Sequence, residues 1–201
     1  MFRALAETLL PGSCPGCGAP AEPVCAACLV TLRPAPPRAT LPGLDRLVVA
    51  YSYEGVAREL VARVKYRNAR AGVSWLAGMM LERLAGAGAP VDVVTWAPTT
   101  PQHRRARGFD HAELLARAVA RHAGLPARSL LRRLPGAAQT GARRAERRTG
   151  PQFRSRPDAH GMRVLLIDDV VTTGATLTAA AAALRRGGAP VIVGLAAART
   201  P

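Results

Sequence analysis

Residues 163–177 read RVLLIDDVVTTGATL, and the fold class turns on them. Residues 164–167 are an apolar run, followed at once by two carboxylates, Asp168 and Asp169. Then comes a small-residue loop carrying Thr172, Thr173 and Thr176 around Gly174, and an alanine-rich segment follows it. A short apolar run bounded by turn residues predicts a buried strand, and the alanines predict a helix that starts at the loop. Backbone N–H groups at a helix start favour an anion, as does the positive end of the helix dipole. Carboxylates accept hydrogen bonds from hydroxyls. A strand ending in acids and a helix opening on a Gly/Thr loop together suit a sugar that carries both hydroxyls and a phosphate, such as a ribose 5-phosphate group.

Composition sets the limits around this stretch. A chain of 201 residues, 49% hydrophobic, is long enough for one medium domain with a small appendage. No apolar run reaches the roughly 18 residues of a membrane span, and the start, MFRALAETLLPGS, is short and polar for a signal peptide. The expectation is a cytoplasmic protein with no membrane insertion. The formal net charge is +15, and fourteen arginines against three acids fall within residues 101–156. Such a field attracts polyanions, either pyrophosphate-bearing substrates or nucleic acid. Aromatic residues make up only 4%, which leaves few platforms for stacking bases.

Near the N-terminus, Cys14-Pro-Gly-Cys17 and Cys25-Ala-Ala-Cys28 hold all four cysteines of the chain. Two C-x-x-C knuckles this close can offer four thiolates to one tetrahedral ion, and zinc is the usual occupant. Disulfides, an iron–sulfur centre and a metal-free arrangement are the alternatives. With no open position among four thiolates, the expected role is structural. Residues 33–42 (RPAPPRATLP) are proline-rich and read as a linker.

Beyond the linker, residues 45–53 read as a strand. Gly55 opens a helix with Val56, Leu60, Val61 and Val64 on one face. Lys65 is the only lysine of the chain, in a sequence with 27 arginines, and Asn68 is its only asparagine. A lone lysine among so many arginines points to a place that needs a compact ammonium. Residues 73–84 read as a second helix and 91–97 as a buried strand. Residues 99–109 (TTPQHRRARGF) read as a basic loop with a Gly108 hinge, 109–122 as a helix, and 136–156 as a flexible polar connection or a short helix. After the opening stretch, 175–186 is a helix stopped by Gly187-Gly188, and 191–197 a last strand.

The run of apolar strand, acid pair and Thr/Gly loop resembles the 5-phosphoribosyl 1-diphosphate (PRPP) motif of type I phosphoribosyltransferases. Residues 107–112 (RGFDHA) are similar to the RGF-N-Q-A pattern of the ComF family, the competence-associated phosphoribosyltransferase-like proteins, with Asp110 and His111 in place of Asn and Gln. Gln139, Glu146-Arg147-Arg148 and Phe153 echo that family's spaced Q…eR…F signature, while Thr149 and Gly150 stand where it has Asn. The resemblance runs over about residues 10–198 and takes in the cysteine module.

It implies an α/β type I phosphoribosyltransferase fold, a mainly parallel central sheet flanked by helices, with a small four-cysteine zinc module. Residues 1–33 would be that module, 34–44 the linker and 45–201 the transferase-like domain. It also implies PRPP binding with Mg²⁺ and transfer of the phosphoribosyl group to an acceptor, usually a nitrogen, with release of pyrophosphate. Asp168 and Asp169 would hold the ribose hydroxyls. Val170, Val171, Thr172, Thr173, Gly174, Ala175 and Thr176 would bind the 5-phosphate side of PRPP. Lys65, Arg67 and Arg107 would meet the pyrophosphate, so that Asp168, Asp169, Lys65 and Arg107 form the catalytic set. The activity would be that of a glycosyltransferase linked to DNA uptake and competence or to nucleotide salvage. The same resemblance supports an alternative, a non-catalytic adaptor that binds single-stranded DNA and a helicase-like partner. Oligomerisation is left open.

Overall fold

The computed structural model describes residues 13–201 apart from 15, 22, 37–39, 67–69, 87–89 and 136–149. A four-residue helix, α1 (Ala26–Leu29), lies within the cysteine region. The main body is built from β1 (Arg46–Ser52), α2 (Gly55–Tyr66), α3 (Arg70–Ala85), β2 (Val93–Trp96), α4 (Pro101–Arg107) and α5 (His111–Ala123). It continues with β3 (Leu131–Arg133), β4 (Phe153–Ser155), a 3-10 turn (Pro157–Ala159), β5 (Arg163–Val171), α6 (Ala175–Arg186) and β6 (Val191–Arg199). The strands β1, β6, β5 and β2 form one four-stranded sheet in that order, every neighbouring pair parallel. Beyond β2, Val94 exchanges hydrogen bonds with the segment after α5, accepting from Arg128 and donating to Pro126, each at 2.9 Å.

A parallel sheet covered on both faces needs strands that are apolar throughout, and β5 shows why. Leu165 and Ile167 point into a core shared with α2, α3 and α5, while Val164 and Leu166 point into the opposite core, with α6, Leu41, Leu44 and Phe153. All four are fully buried. Removing one such Leu or Ile side chain from water is worth about 1.5–3 kcal/mol. The α/β class with a central parallel sheet is therefore observed. Right-handed crossovers put helices on opposite faces when the chain turns back along the sheet. Here α5, leaving β2, and α6, leaving β5, lie on opposite faces, so the sheet reverses its winding between β2 and β5. Clefts beyond the strand ends at such a reversal are where open α/β sheets take ligands.

The other end of the sheet is fastened by charge. Asp92 takes the Arg163 guanidinium and also its backbone N–H at 2.9 Å, tying the start of β2 to the start of β5. These bonds hold the Asp92 carboxyl down at about 2. Asp45 pairs with Arg185 and accepts the Ile192 N–H at 2.6 Å, which ties β1 to β6 and to the end of α6.

Several boundaries differ from the sequence reading. Residues 101–107 are helical, not a loop: Pro101 suits the first helical turn, the segment holds no β-branched residue, and the helix stops at Gly108 with φ +82°. Phe153 stands in β4, which pairs antiparallel with β3, so the end of the polar connection is half of a short ribbon. The apolar face predicted for α2 is divided between two neighbours. Ala57 and Val61 enter the main core, while Leu60 and Val56 pack against the cysteines. Residues 33–35 lie along the edge of β1, with Ser52 donating to Arg33 at 2.9 Å, and Leu41 and Leu44 are buried beside α6. Among the described residues, no helix is long and apolar enough to cross a membrane.

Candidate functional site

Strand β5 carries both acids. Its neighbour β2 ends at Trp96, opposite Ile167, so β5 runs on by four residues, Asp168 to Val171, paired on one side by β6 alone. The acids thus lie within the last part of the strand and beside the opening left where β2 stops. The apolar signal ends at Ile167, but the hydrogen-bonded strand does not. Asp168 and Asp169 are half-buried; the Asp169 N–H donates to Asp168 Oδ1 at 2.9 Å and the Val170 N–H to Asp169 Oδ1 at 2.6 Å.

After Val171 the chain turns through Thr172 and Thr173, both exposed, to Gly174 and into α6. Gly174 has φ +84°, and a Cβ there would stand 2.6 Å from Leu41 Cδ2, so both backbone and space demand glycine. Gly174 has no side chain to cap α6, and the Ala175 N–H donates to Thr173 Oγ1 at 3.3 Å. A twelve-residue helix therefore starts at the lip of the site with its first donors directed at the loop. Thr176 is half-buried in the first turn.

Across the opening stand residues from β2, α5 and β3. Asp110 is buried and does two jobs. Its Oδ1 caps α5 by accepting the N–H groups of Ala112 and Glu113 at 3.1 and 3.4 Å, and its Oδ2 accepts the Thr99 N–H at 2.8 Å. The segment after β2 is thereby fixed to the start of α5. An aspartate here supplies the cap that an asparagine would also supply. His111 beside it is buried, its ring edge-on to Phe109 with centroids 4.8 Å apart. Arg133, at the end of β3, stacks over Phe153 and donates to the Pro98 carbonyl at 3.3 Å. Burial pulls its pKa down, while the nearby Asp110 and Asp168 carboxylates oppose that effect.

Asp168, Asp169 and residues 170–176 run from the end of β5 through the loop into the first turn of α6. Lys65 lies in the last turn of α2 and Arg107 ends α4, but their side chains fall outside what the structure describes. Arg67, Gln139 and residues 146–148 lie outside the described residues. Sequence reasoning missed Arg133, which is 35 residues from its partner Pro98. It also missed the anchoring role of Asp110. The spacing of Asp110 to Glu113 is a helix-start signal that could have found the cap.

The second candidate site is the cysteine cluster. The four sulfurs of Cys14, Cys17, Cys25 and Cys28 lie within 4.8 Å of one another, and none is paired in a disulfide. Tetrahedral thiolates about 2.3 Å from a zinc ion stand roughly 3.8 Å apart, so the cluster is of the right size. Backbone donors favour thiolate at Cys14, chiefly that of Cys25, and lower its pKa to about 6. Hydrogen bonding to Cys14 pushes Cys28 up to about 12. A Cβ at Gly16 would lie 2.6 Å from both Cys28 Sγ and Val56 Cγ2, so the first knuckle closes over the sulfurs and onto α2. Arg63 of α2 completes the contact by donating to the Ser13 carbonyl at 2.7 Å. The donor set and the cradle fit zinc.

Sheet, acid pair and helix start define a parallel α/β domain with an anion-ready site at its winding reversal. The family model described as the phosphoribosyl transferase domain matches residues 111–199, which span α5 to β6 and hold the whole acid–threonine loop. No curated protein matches the chain. Among solved structures, it is similar to an allosteric regulatory enzyme of purine biosynthesis (20% identity, TM-score 0.45, covering 68% of this chain and 30% of that one). It is also similar to the glutamine PRPP amidotransferase of B. subtilis (19%, TM-score 0.46, 66% and 30%). A third is the adenine phosphoribosyltransferase of Thermoanaerobacter pseudethanolicus (19%, TM-score 0.42, 68% and 72%). The chain spans only 30% of the length of the first two.

Proposed function

We propose that the protein binds PRPP and is a phosphoribosyltransferase of the ComF type, passing the phosphoribosyl group to a nitrogen acceptor with release of pyrophosphate. The observation that carries this reading is the β5–α6 junction. Two half-buried carboxylates stand beside a helix that opens on Gly174, which has no side chain to cap it, and on the threonines of the loop. Asp168 and Asp169 take the ribose 2- and 3-hydroxyls. The backbone of residues 171–175 and the hydroxyls of Thr172, Thr173 and Thr176 take the 5-phosphate. Lys65, Arg67 and Arg107 serve the pyrophosphate. Because α3 must return the chain to the start of β2, its own start lies towards the strand ends that hold the acids. Lys65, in the last turn of the helix that precedes α3, is the described end of that basic stretch. Mg²⁺ arriving with PRPP would offset the charge of the pyrophosphate, with Asp168 and Asp169 as its nearest carboxylates. Positive charge develops on the ribose ring as the bond to pyrophosphate breaks, and the fixed acids stabilise it.

Residues 1–33 form the zinc module in this reading, 34–44 the linker and 45–201 the catalytic domain of a cytoplasmic protein. The test is release of pyrophosphate from PRPP and Mg²⁺ across a panel of amines and bases, followed by phosphorus NMR. Release with at least one acceptor is expected; PRPP binding with no release across the panel would support an adaptor instead. One zinc per chain by elemental analysis, lost in Cys25→Ser, tests the module.

One observation favours the adaptor as a second reading. In the β3–β4 ribbon, Arg132 stands directly opposite Arg154, and both are exposed. Like charges facing across strands are destabilising, so a polyanion would relieve them. Single-stranded DNA, handed on by a helicase-like partner, would be that polyanion. Its binding should weaken steeply with salt, and a flat salt response would remove this reading.

A further inference from the structure

Next to the donor site lies a second space. A cleft of about 670 Å³ opens between the start of α4, the end of β3 and residues 150–152. Its walls include Pro101 and Pro151, and its polar groups include Gln102, Gln152, Arg105 and Arg133. Asp168 and Asp169 are not among its lining residues, so the cleft adjoins the ribose position without being it. It is nonetheless coupled to that position. Arg133 holds the Pro98 carbonyl and lies near Asp168, while a Cβ placed on Gly150 would stand 3.7 Å from that of Ala175, the first residue of α6.

The lining has a clear chemical bias. Both charged groups are guanidiniums, and no described residue lining the cleft is acidic. Each guanidinium offers a planar fork that matches a carboxylate. One N–H of Arg133 goes to Pro98, and a guanidinium carries five. The amides of Gln102 and Gln152 can both donate and accept, as the edge of a heterocycle requires. Proline walls suit the faces of a flat ring. A pyrophosphate has no apolar surface to place against them and would fill only a fraction of the volume.

We infer that this cleft is the acceptor pocket, and that it selects a planar acceptor bearing a carboxylate, held by Arg105 and Arg133. This deepens the function proposed above and rests on its placing of the ribose at Asp168 and Asp169.

The test measures binding of matched pairs differing in one carboxylate, orotate against uracil and nicotinate against nicotinamide. It is run by calorimetry on the full chain, with and without PRPP and Mg²⁺. Charge-assisted pairing predicts that the acid of at least one pair binds about tenfold or more tightly than its neutral partner. That preference should collapse in Arg105→Gln, a change at an exposed position, while PRPP affinity and the melting temperature stay put. Equal binding within both pairs, or no binding by either acid, overturns the inference. So does an Arg105→Gln variant that loses PRPP or pyrophosphate instead, because the cleft would then belong to the leaving group. If PRPP itself fails to bind while the acid preference stands, the donor reading falls and takes the acceptor role with it, leaving only a carboxylate-binding cleft at Arg105 and Arg133.

Discussion

The two ends of the central sheet use carboxylates in opposite ways. At the strand starts, Asp92 and Asp45 are consumed by structure, each joined to an arginine and to a backbone N–H. At the strand ends, Asp168 and Asp169 lie half-buried where β5 has outrun β2 and is paired by β6 alone. On the function proposed above, the same residue type is a fastener at one end and a ligand-binding group at the other. What separates them is whether a neighbouring strand continues. Pre-organised groups favour binding and transition-state stabilisation.

The largest effect that would sharpen this contrast comes from Asp168→Asn combined with Asp169→Asn. The amide oxygens can still accept the local backbone N–H groups, so the melting temperature should barely change. Affinity for PRPP with Mg²⁺ should fall by about 2–4 kcal/mol, the scale of losing a pre-organised electrostatic group. A large drop in melting temperature with intact affinity would place these acids with the fasteners.

Gly174→Ala comes next. It adds a side chain at φ +84° and drives it to 2.6 Å from Leu41, at an expected stability cost of about 1–3 kcal/mol together with weaker PRPP binding. Adding Leu41→Ala should relieve the contact but not the backbone strain, so denaturant melts of the pair separate the two causes. Asp110→Ala should cost about 1–2 kcal/mol through the lost cap of α5 and free the Thr99 segment. Asp110→Asn, which keeps an acceptor in place, should restore most of that stability in the same melts.

Smallest is the pH signature of the fastened end. The Asp92 carboxyl lies at about 2 in the folded chain, against an ordinary value near 3.9. A depressed pKa contributes stability that is present above about pH 4 and lost as pH falls towards 2. Asp92→Asn should flatten that part of the stability–pH curve and leave PRPP affinity near neutral pH unchanged. An unaltered acid slope would mean that the Arg163 pair contributes nothing measurable.

Much of this division is legible in the sequence, for identifiable reasons. Residues 164–167 are apolar because both sheet faces are covered, and the alanines of α6 let it pack closely on the sheet, so the strand–loop–helix unit is written in one continuous stretch. The cysteines are equally plain, because a metal site built from two knuckles is local. What escaped is what depends on neighbours in space. The extension of β5 through its acids is held by hydrogen bonds to β6, to which hydrophobic patterning is blind. The arginine-rich α4 has the composition of a loop and the backbone of a helix. Arg133 and Asp110 join the site from opposite ends of a 23-residue interval of no obvious motif. Only the ribbon β3–β4 and the cap of α5 bring them to Pro98 and Thr99.

The central claim is that the open end of the sheet is a PRPP donor site. Titrating the wild-type chain with PRPP and Mg²⁺ in a calorimeter tests it directly. A saturable, single-site heat is the predicted result. No heat from the folded wild-type protein would contradict the account.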